Sequence, residues 1–376
     1  MIIQPSRQPQ SELFYRVAFS QLRGMNTGRG ERMLELFGSE RALFENGEEA
    51  FREVGTGRRI SLSRSDLDAA LAVAREELPF IEKNGIRCLY FTDEDYPRRL
   101  LACDDAPAML YVKGDCDLDA RHVVAVVGTR NATVYGAKFI DKLVGDLADR
   151  LDDLLIISGL AVGCDIMGHR RSMALGVPTA AVVAHGLDTI YPAEHRNDAA
   201  RMVRGAGAIV TDYVHGTRPH RGNFLARNRI VAGLSDAVVV VESASDRGGA
   251  LNTAHVARAY DREVFALPGR TSDRYSAGCN MLIREQTAAL IETAADLIQA
   301  MGWTPRPAEG AQAELFSPLP ESQQKIVDYL THNGEATADT LQAALGIPTG
   351  QLMAMLVEME FDDLIMALPG ARYRVN

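Results

Sequence analysis

The chain is poor in paired cysteine. Its five cysteines (Cys88, Cys103, Cys116, Cys164 and Cys279) include no CxxC pair and no Cys/His ligand spacing. That scatter excludes a zinc ribbon or a disulfide scaffold and fits reduced thiols in the cytoplasm, the expected location. Long apolar runs are missing too: none nears the roughly 18 residues of a membrane span, so no membrane span is expected. The polar opening MIIQPSRQPQ has no signal-peptide hydrophobic region. Catalytic signatures are equally scarce. No GxGxxG follows the first apolar strand, which argues against a dinucleotide cofactor, and no GxxxxGK with Ser or Thr marks a P-loop NTPase. HExxH, GxSxG and kinase signatures are absent. No cofactor and no resident metal are therefore expected. Finally, positive charge is in deficit: the formal net charge is -10.

Against that acidic background one stretch is basic. Thr217–Ile230 reads TRPHRGNFLARNRI, with Arg218, Arg221, Arg227, Arg229, one histidine, Phe224 and no carboxylate. A positive island on a negative protein suits an anionic client, and an aromatic ring within it suits nucleotides or single-stranded nucleic acid. The plain alternative is a solvated loop and helix start whose arginines pair with carboxylates elsewhere.

A length of 376 residues implies two or three domains. Residues 1–78 read as short helices separated by glycine-rich turns at Gly24, Gly28, Gly30, Gly38, Gly55 and Gly57. They are expected to form a SAM-like helical domain, a packing unit more than a phosphate grip. From about 121 to 300, apolar runs of strand length recur, each followed by glycine and a helical stretch. They are Val123–Val127, Leu154–Ile157, Thr179–Val183, Ala208–Val210, Ala237–Val241 and Val264–Leu267. Such runs predict a parallel sheet covered on both faces, in a doubly wound, extended Rossmann-like α/β domain over 79–301. Residues 86–120 should add one strand and a lead-in loop. A proline-rich linker occupies 302–319. Residues 320–376 then read helix, helix, turn, helix and two short strands, which spells a winged helix.

Glycines cluster where the strands end, at Gly128-Thr129-Arg130, Ser158-Gly159, Ala184-His185-Gly186 and, beyond Glu242, Gly248-Gly249. In a doubly wound sheet these loops converge on one crevice. Glycine admits a ligand close to backbone amides, and the following helix N-termini favour anions. Four such loops, with Arg130 in the first, point to a phosphate-binding face. Asp165 and His169 fall at i and i+4, as an acid/base pair or, more simply, a capping carboxylate and a hydrogen-bonded histidine. Cys164 reads as packing. Glu242 is read as an ion-pair partner for Arg227 or Arg229, with a catalytic carboxylate as the other possibility.

These motifs, in order, resemble the DprA/Smf family of DNA-processing proteins of natural transformation. The residues that carry the likeness are Tyr96-Pro97-x-x-Leu100, Pro107, Leu110-Tyr111, Gly114, Val127-Gly128-Thr129-Arg130 and Ser158-Gly159-Leu160-Ala161-x-Gly163-x-Asp165. Further along come Tyr191-Pro192, Phe224-x-x-Arg227-Asn228-Arg229-Ile230, Val241-Glu242, Pro268-Gly269 and Gly278-Cys279-Asn280-x-Leu282-Ile283. The resemblance implies a homodimer that binds single-stranded DNA, loads RecA on it and turns over no substrate. By motif, Arg130 clamps a phosphate beside the amides of Gly128 and Thr129. Arg221 takes another phosphate, Phe224 offers its face to a base, and Arg227 and Arg229 take a mixed role. Ser158, Gly159, Asn228, Gly248 and Gly249 complete the expected DNA-binding set. The chain departs from the family pattern at Arg247-Gly248-Gly249-Ala250 and at Thr211-Asp212-Tyr213, where fine contacts should differ.

The other class that fits is a Rossmann-like nucleoside monophosphate hydrolase, kept open by Glu242 and Gly248-Gly249. A DNA-reading regulator is undercut by the charge of the winged helix. From Pro320 on, Lys325, Arg372 and Arg374 face eight carboxylates, and the groove-entering helix Thr349–Phe361 carries Glu358 and Glu360 but no lysine or arginine. Such a helix repels a duplex, so this module is expected to contact protein or its own chain.

Overall fold

The apolar runs fold as strands whose alternate residues feed two cores. A computed structural model describes residues 11–50, 63–245, 248–306, 320–361, 364–368 and 370–375. The chain forms two compact units, Met1–Arg306 and Pro307–Asn376. The first begins with helices α1 (Glu12–Ser20), α2 (Thr27–Phe37), α3 (Glu40–Ala50) and α4 (Arg64–Asn84). Next come β1 (Arg87–Tyr90), the short α5 (Arg98–Leu101), β2 (Met109–Gly114), β3 (His122–Val127) and α6 (Val134–Arg150). They are followed by β4 (Leu154–Ser158), α7 (Cys164–Leu175), β5 (Thr179–Val182), α8 (Arg196–Arg204) and β6 (Ala208–Thr211). The unit closes with α9 (Arg221–Leu234), β7 (Ala237–Val240), α10 (Gly249–Ala259), β8 (Glu263–Ala266), α11 (Ala277–Arg284), β9 (Ala289–Leu290) and α12 (Ala294–Ala300).

One sheet of order β1-β2-β6-β5-β4-β3-β7-β8-β9 runs through this unit. Strands β3 to β9 pair parallel, and β1 and β2 add an antiparallel edge. In β3, Val123, Ala125 and Val127 enter one core while Val124 and Val126 enter the other. That two-sided burial is why the strand is apolar throughout. Helices α9 and α10 cover the first face, and α6 and α12 cover the second. Helices α1 to α4 extend the first core through Phe14, Phe19, Leu43 and Leu67, where Phe19 meets Tyr90 edge-on at 6.5 Å between ring centroids. The single strand expected within 86–120 is instead two. Met109–Gly114 pairs antiparallel with both β1 and β6, so this segment builds the whole sheet edge. Two expected features, the turns at Gly55 and Gly57 and most of the 302–319 linker, lie outside the described residues, as does Arg247.

The second unit holds α13 (Glu321–Asn333), β10 (Ala336–Thr337), α14 (Ala338–Leu345), α15 (Thr349–Phe361), β11 (Ile365–Leu368) and β12 (Arg372–Val375). Its antiparallel sheet has the order β10-β12-β11. Ile326, Leu330, Leu341, Leu352, Leu356 and Met359 form its own core, as a winged helix requires. The two-residue β10 is too short for any sequence periodicity to announce. Among the described residues, no single helix is long and apolar enough to cross a membrane.

Candidate nucleic-acid interface

From β3 the chain crosses towards β4, and from β7 it crosses the other way, towards β8. That reversal opens a crevice at the carboxyl ends of the strands, where doubly wound folds bind ligands. A cavity of about 800 Å³ lies there. Loop 128–131, after β3, forms one wall, and Gly159 and Ala161, after β4, form the floor. Opposite stand the first turns of α9, with Arg221, Phe224, Leu225, Arg227 and Asn228. Ser243, Gly248 and Gly249 close a third side, beyond β7. The loop after β5, Ala184-His185-Gly186, does not reach the cavity.

Two glycines let these loops meet. Gly163 has φ +84°, and a Cβ there would lie 2.3 Å from the Thr129 carbonyl oxygen. A Cβ on Gly159 would lie 1.8 Å from Arg227 Nη1. The glycines thus make room for neighbouring protein groups. Thr129 differs from its expected role in the same way: its N–H donates to the Glu242 carbonyl at 2.7 Å and is not free for a phosphate.

The arginines of the basic stretch separate by burial. Arg221 is exposed at the start of α9, where His220 Nδ1 accepts from the Gly222 N–H at 3.1 Å as the N-cap. Arg130 is also exposed, with its guanidinium 5.8 Å from the Phe224 ring centroid. Phe224 in turn lies 5.7 Å from Tyr191, ring to ring. This cation–aromatic group meets solvent, at a helix N-terminus that itself favours anions. Arg227, by contrast, is only 5 % exposed, and its Nη1 donates to the Val182 carbonyl at 2.8 Å. Arg229 does not line the cavity; it pairs with Asp212 at 2.6 Å and donates to the Asp105 carbonyl. Asn228 Nδ2 donates to the Gly249 carbonyl at 3.2 Å, joining α9 to α10.

Among the described residues that line the cavity, the one carboxylate is Asp165. It is buried and accepts from the N–H groups of Gly159 and Ala161 at 3.2 and 3.3 Å. Burial raises its carboxyl above the ordinary range while the Arg227 charge pulls it back. Burial likewise lowers the Arg227 guanidinium, and Asp165 counters that. His169 does not join Asp165 in an acid/base pair: its Nδ1 lies 2.7 Å from Thr179 Oγ1 in the core. Glu242 is not the partner of Arg227 or Arg229 that its position suggested. It accepts from the Thr133 N–H at 2.8 Å and the Thr133 hydroxyl at 2.5 Å, anchoring the start of α6.

Of the twelve residues expected at the site, ten line one cavity and two do not. Ser158 is fully buried with its hydroxyl donating to the Val126 carbonyl at 2.6 Å, and Arg229 holds the loop after β6. Arg274 and Tyr275 also line the cavity and belong to no motif expected at the site. Their one available signal was position, between the Pro268-Gly269 and Gly278-Cys279 motifs.

Known proteins are similar to this chain in sequence and fold. The family model described as DNA recombination-mediator protein A matches residues 87–302, and one described as DprA winged helix domain matches 311–371. The chain belongs to the DprA/Smf family. It is 35 % identical to the putative DNA processing protein DprA of Mycobacterium tuberculosis, over 80 % of each chain. It is 32 % identical to the protein Smf of Escherichia coli, over 85 % of this chain and 83 % of the relative. The X-ray structure of DprA from Streptococcus pneumoniae superposes with a TM-score of 0.64 and 28 % identity, over 78 % of this chain and 98 % of that one. The DprA structure from Helicobacter pylori gives 0.51 and 30 %, over 57 % and 95 %. That structure was described for its single-stranded DNA binding mode. In this DprA/Smf chain the motif residues from three separate segments line the cavity.

Proposed function

We propose that this chain is a single-stranded DNA-binding recombination mediator that places RecA on incoming DNA, acting as a homodimer in the cytoplasm without turning over its substrate. The observation that carries the reading is the exposed Arg130 set over half-buried Phe224, with Arg221 lining the same switch-point cavity. Phosphates and flat bases are the two chemistries this group can grip, and both recur along a strand without regard to sequence. Membership of the recombination-mediator family and the single-strand binding described for the Helicobacter pylori relative support it. The test is titration of labelled single-stranded and duplex DNA of equal length, with and without RecA. Tight binding of mixed-sequence single strands and faster RecA assembly are expected. Equal affinity for duplex would overturn the first part, and RecA assembly indifferent to the protein would overturn the second.

The winged helix supports a separate reading, contact with protein. Its α15 lacks any lysine or arginine and exposes Met353 and Val357, one helical turn apart, to solvent. A helix of that character offers a duplex no phosphate attraction and offers an apolar partner a surface.

A further inference from the structure

The loop between β8 and α11 places Arg274 and Tyr275 on the cavity wall. Its shape is fixed at both ends. At the base, Asn280 Nδ2 donates to the Gly269 carbonyl at 2.9 Å, and the Gly269 N–H donates back to Asn280 Oδ1 at 3.2 Å. At the far end, the Ser243 N–H donates to the Tyr275 carbonyl at 2.6 Å, and the Gly278 N–H donates to the Ser243 carbonyl at 2.8 Å. Both bonds tie the loop to the residues beyond β7. The approach is close enough that a Cβ on Gly278 would lie 2.7 Å from the carbonyl oxygens of Ser243 and Ala244.

The side chains held there repeat the chemistry of the Arg130–Phe224 pair. Arg274 has its guanidinium 5.8 Å from the Tyr275 ring centroid, the same separation as Arg130 from Phe224. Tyr275, like Phe224, is half-buried, so each ring keeps an open part. Arg274 is exposed and makes no ion pair among the described residues, which leaves its charge for an outside anion. A fold that needed only to close this loop already has the backbone bonds to do so. At about 800 Å³ the cavity lies high in the range of roughly 300–1,000 Å³ that holds a drug-sized ligand. That leaves room beside the Arg130–Phe224 pair for a nucleotide at Arg274 and Tyr275.

We propose that Arg274 and Tyr275 form a second nucleotide subsite, with a base against the Tyr275 ring and a backbone phosphate at Arg274. A single strand is then gripped at two places, one nucleotide at Phe224 and Arg130, another at Tyr275 and Arg274. The subsite accepts any base, because stacking uses the π face common to all four. This inference rests on the single-strand reading of the cavity.

The test uses the full chain and oligothymidylates of roughly 4 to 16 nucleotides, followed by anisotropy at several salt concentrations. Tyr275→Ala should weaken binding of the longer strands by roughly five- to hundredfold, and Tyr275→Phe should keep it. Arg274→Ala, on an exposed position that leaves the fold intact, should lower the log–log salt slope by about 0.7. A 2-aminopurine base moved along the strand should show one quenched position lost in Tyr275→Ala and a different one lost in Phe224→Ala. Should Tyr275→Ala and Arg274→Ala bind as the parent does while Arg130→Ala fails, the second subsite is refuted and the single-strand reading stands. Should Arg130→Ala also bind as the parent does, the cavity reading falls with it. A Tyr275→Phe variant as weak as Tyr275→Ala would refute stacking.

Discussion

Arg130 and Arg227 lie in the same cavity, and replacing each by alanine should give opposite outcomes. Arg227 is buried, bonded to the Val182 carbonyl and electrostatically coupled to buried Asp165. Its removal takes the compensating positive charge from the Asp165 carboxylate, which keeps its two backbone N–H donors, and leaves the Val182 carbonyl without this side-chain donor, a loss of about 1–3 kcal/mol. For a unit of this size that lowers Tm by roughly 2–6 °C. Arg130 is exposed, bonded to no carboxylate among the described residues and set over Phe224. Its removal should leave Tm unchanged, weaken single-strand binding across sequences and lower the log–log salt slope by about 0.7. Thermal unfolding without DNA and anisotropy titrations over a salt series separate the two effects. The division of the arginines would be refuted by an Arg227→Ala protein of parental Tm that loses one phosphate's share of salt dependence. In that case Arg227 would be a DNA contact.

Buried His169 makes stability pH-dependent. Burial pulls its imidazole down to about 3, so below its ordinary value near 6.5 the unfolded chain binds a proton the folded chain refuses. Its contribution is therefore full above about pH 6.5 and declines as pH falls towards 3, by about 1.4 kcal/mol per unit. Urea midpoints at about pH 7 and about pH 5 should converge in His169→Asn relative to the parent, and equal pH dependence in both would sink the assignment. Incubation with a panel of nucleoside monophosphates should release no base, because Glu242 is committed to Thr133. Base release that disappears in Glu242→Gln would reinstate the hydrolase reading. For the winged helix, the double variant Glu358→Lys and Glu360→Lys in the full chain should raise duplex affinity above that of the parent. Strong duplex binding by the parent that is lost on removal of residues 307–376 would place DNA on this module after all.

The parallel sheet was legible because its strands are buried on both faces and so are apolar at every position. Val123–Val127 and Ala237–Val241 needed no partner in view to be read as strands. The edge was harder. β1 and β2 come from a segment crowded with aspartate, and their place in the sheet rests on the long-range pairing of β2 with β6. At the site, the glycine loops and the basic stretch announced a shared cavity. What the sequence could not show was which arginine faces water. Arg227 and Arg221 are six residues apart on one helix, and only the packing of α9 against β5 and Gly159 decides that one is interior. Glu242 was misleading for a related reason. A buried carboxylate needs donors, but a helix N-terminus with its Thr133 hydroxyl supplies them as well as an arginine does.

The glycines change meaning once their neighbours are known. In a strand-end loop, glycine suggests amides bared to a phosphate, as in a nucleotide cradle. Here Gly159 admits the Arg227 guanidinium, Gly163 admits the Thr129 carbonyl, and the Thr129 amide is already bonded to Glu242. These loops use glycine to bring elements of the protein against one another. In the proposed single-strand site the grip on phosphate then falls to the long side chains of Arg130 and Arg221, which can adapt to a flexible strand. A site of that kind has little hold on an isolated phosphate but gains with each added nucleotide. Such behaviour distinguishes a strand-binding mediator from an enzyme that must seat one nucleotide in a defined pose.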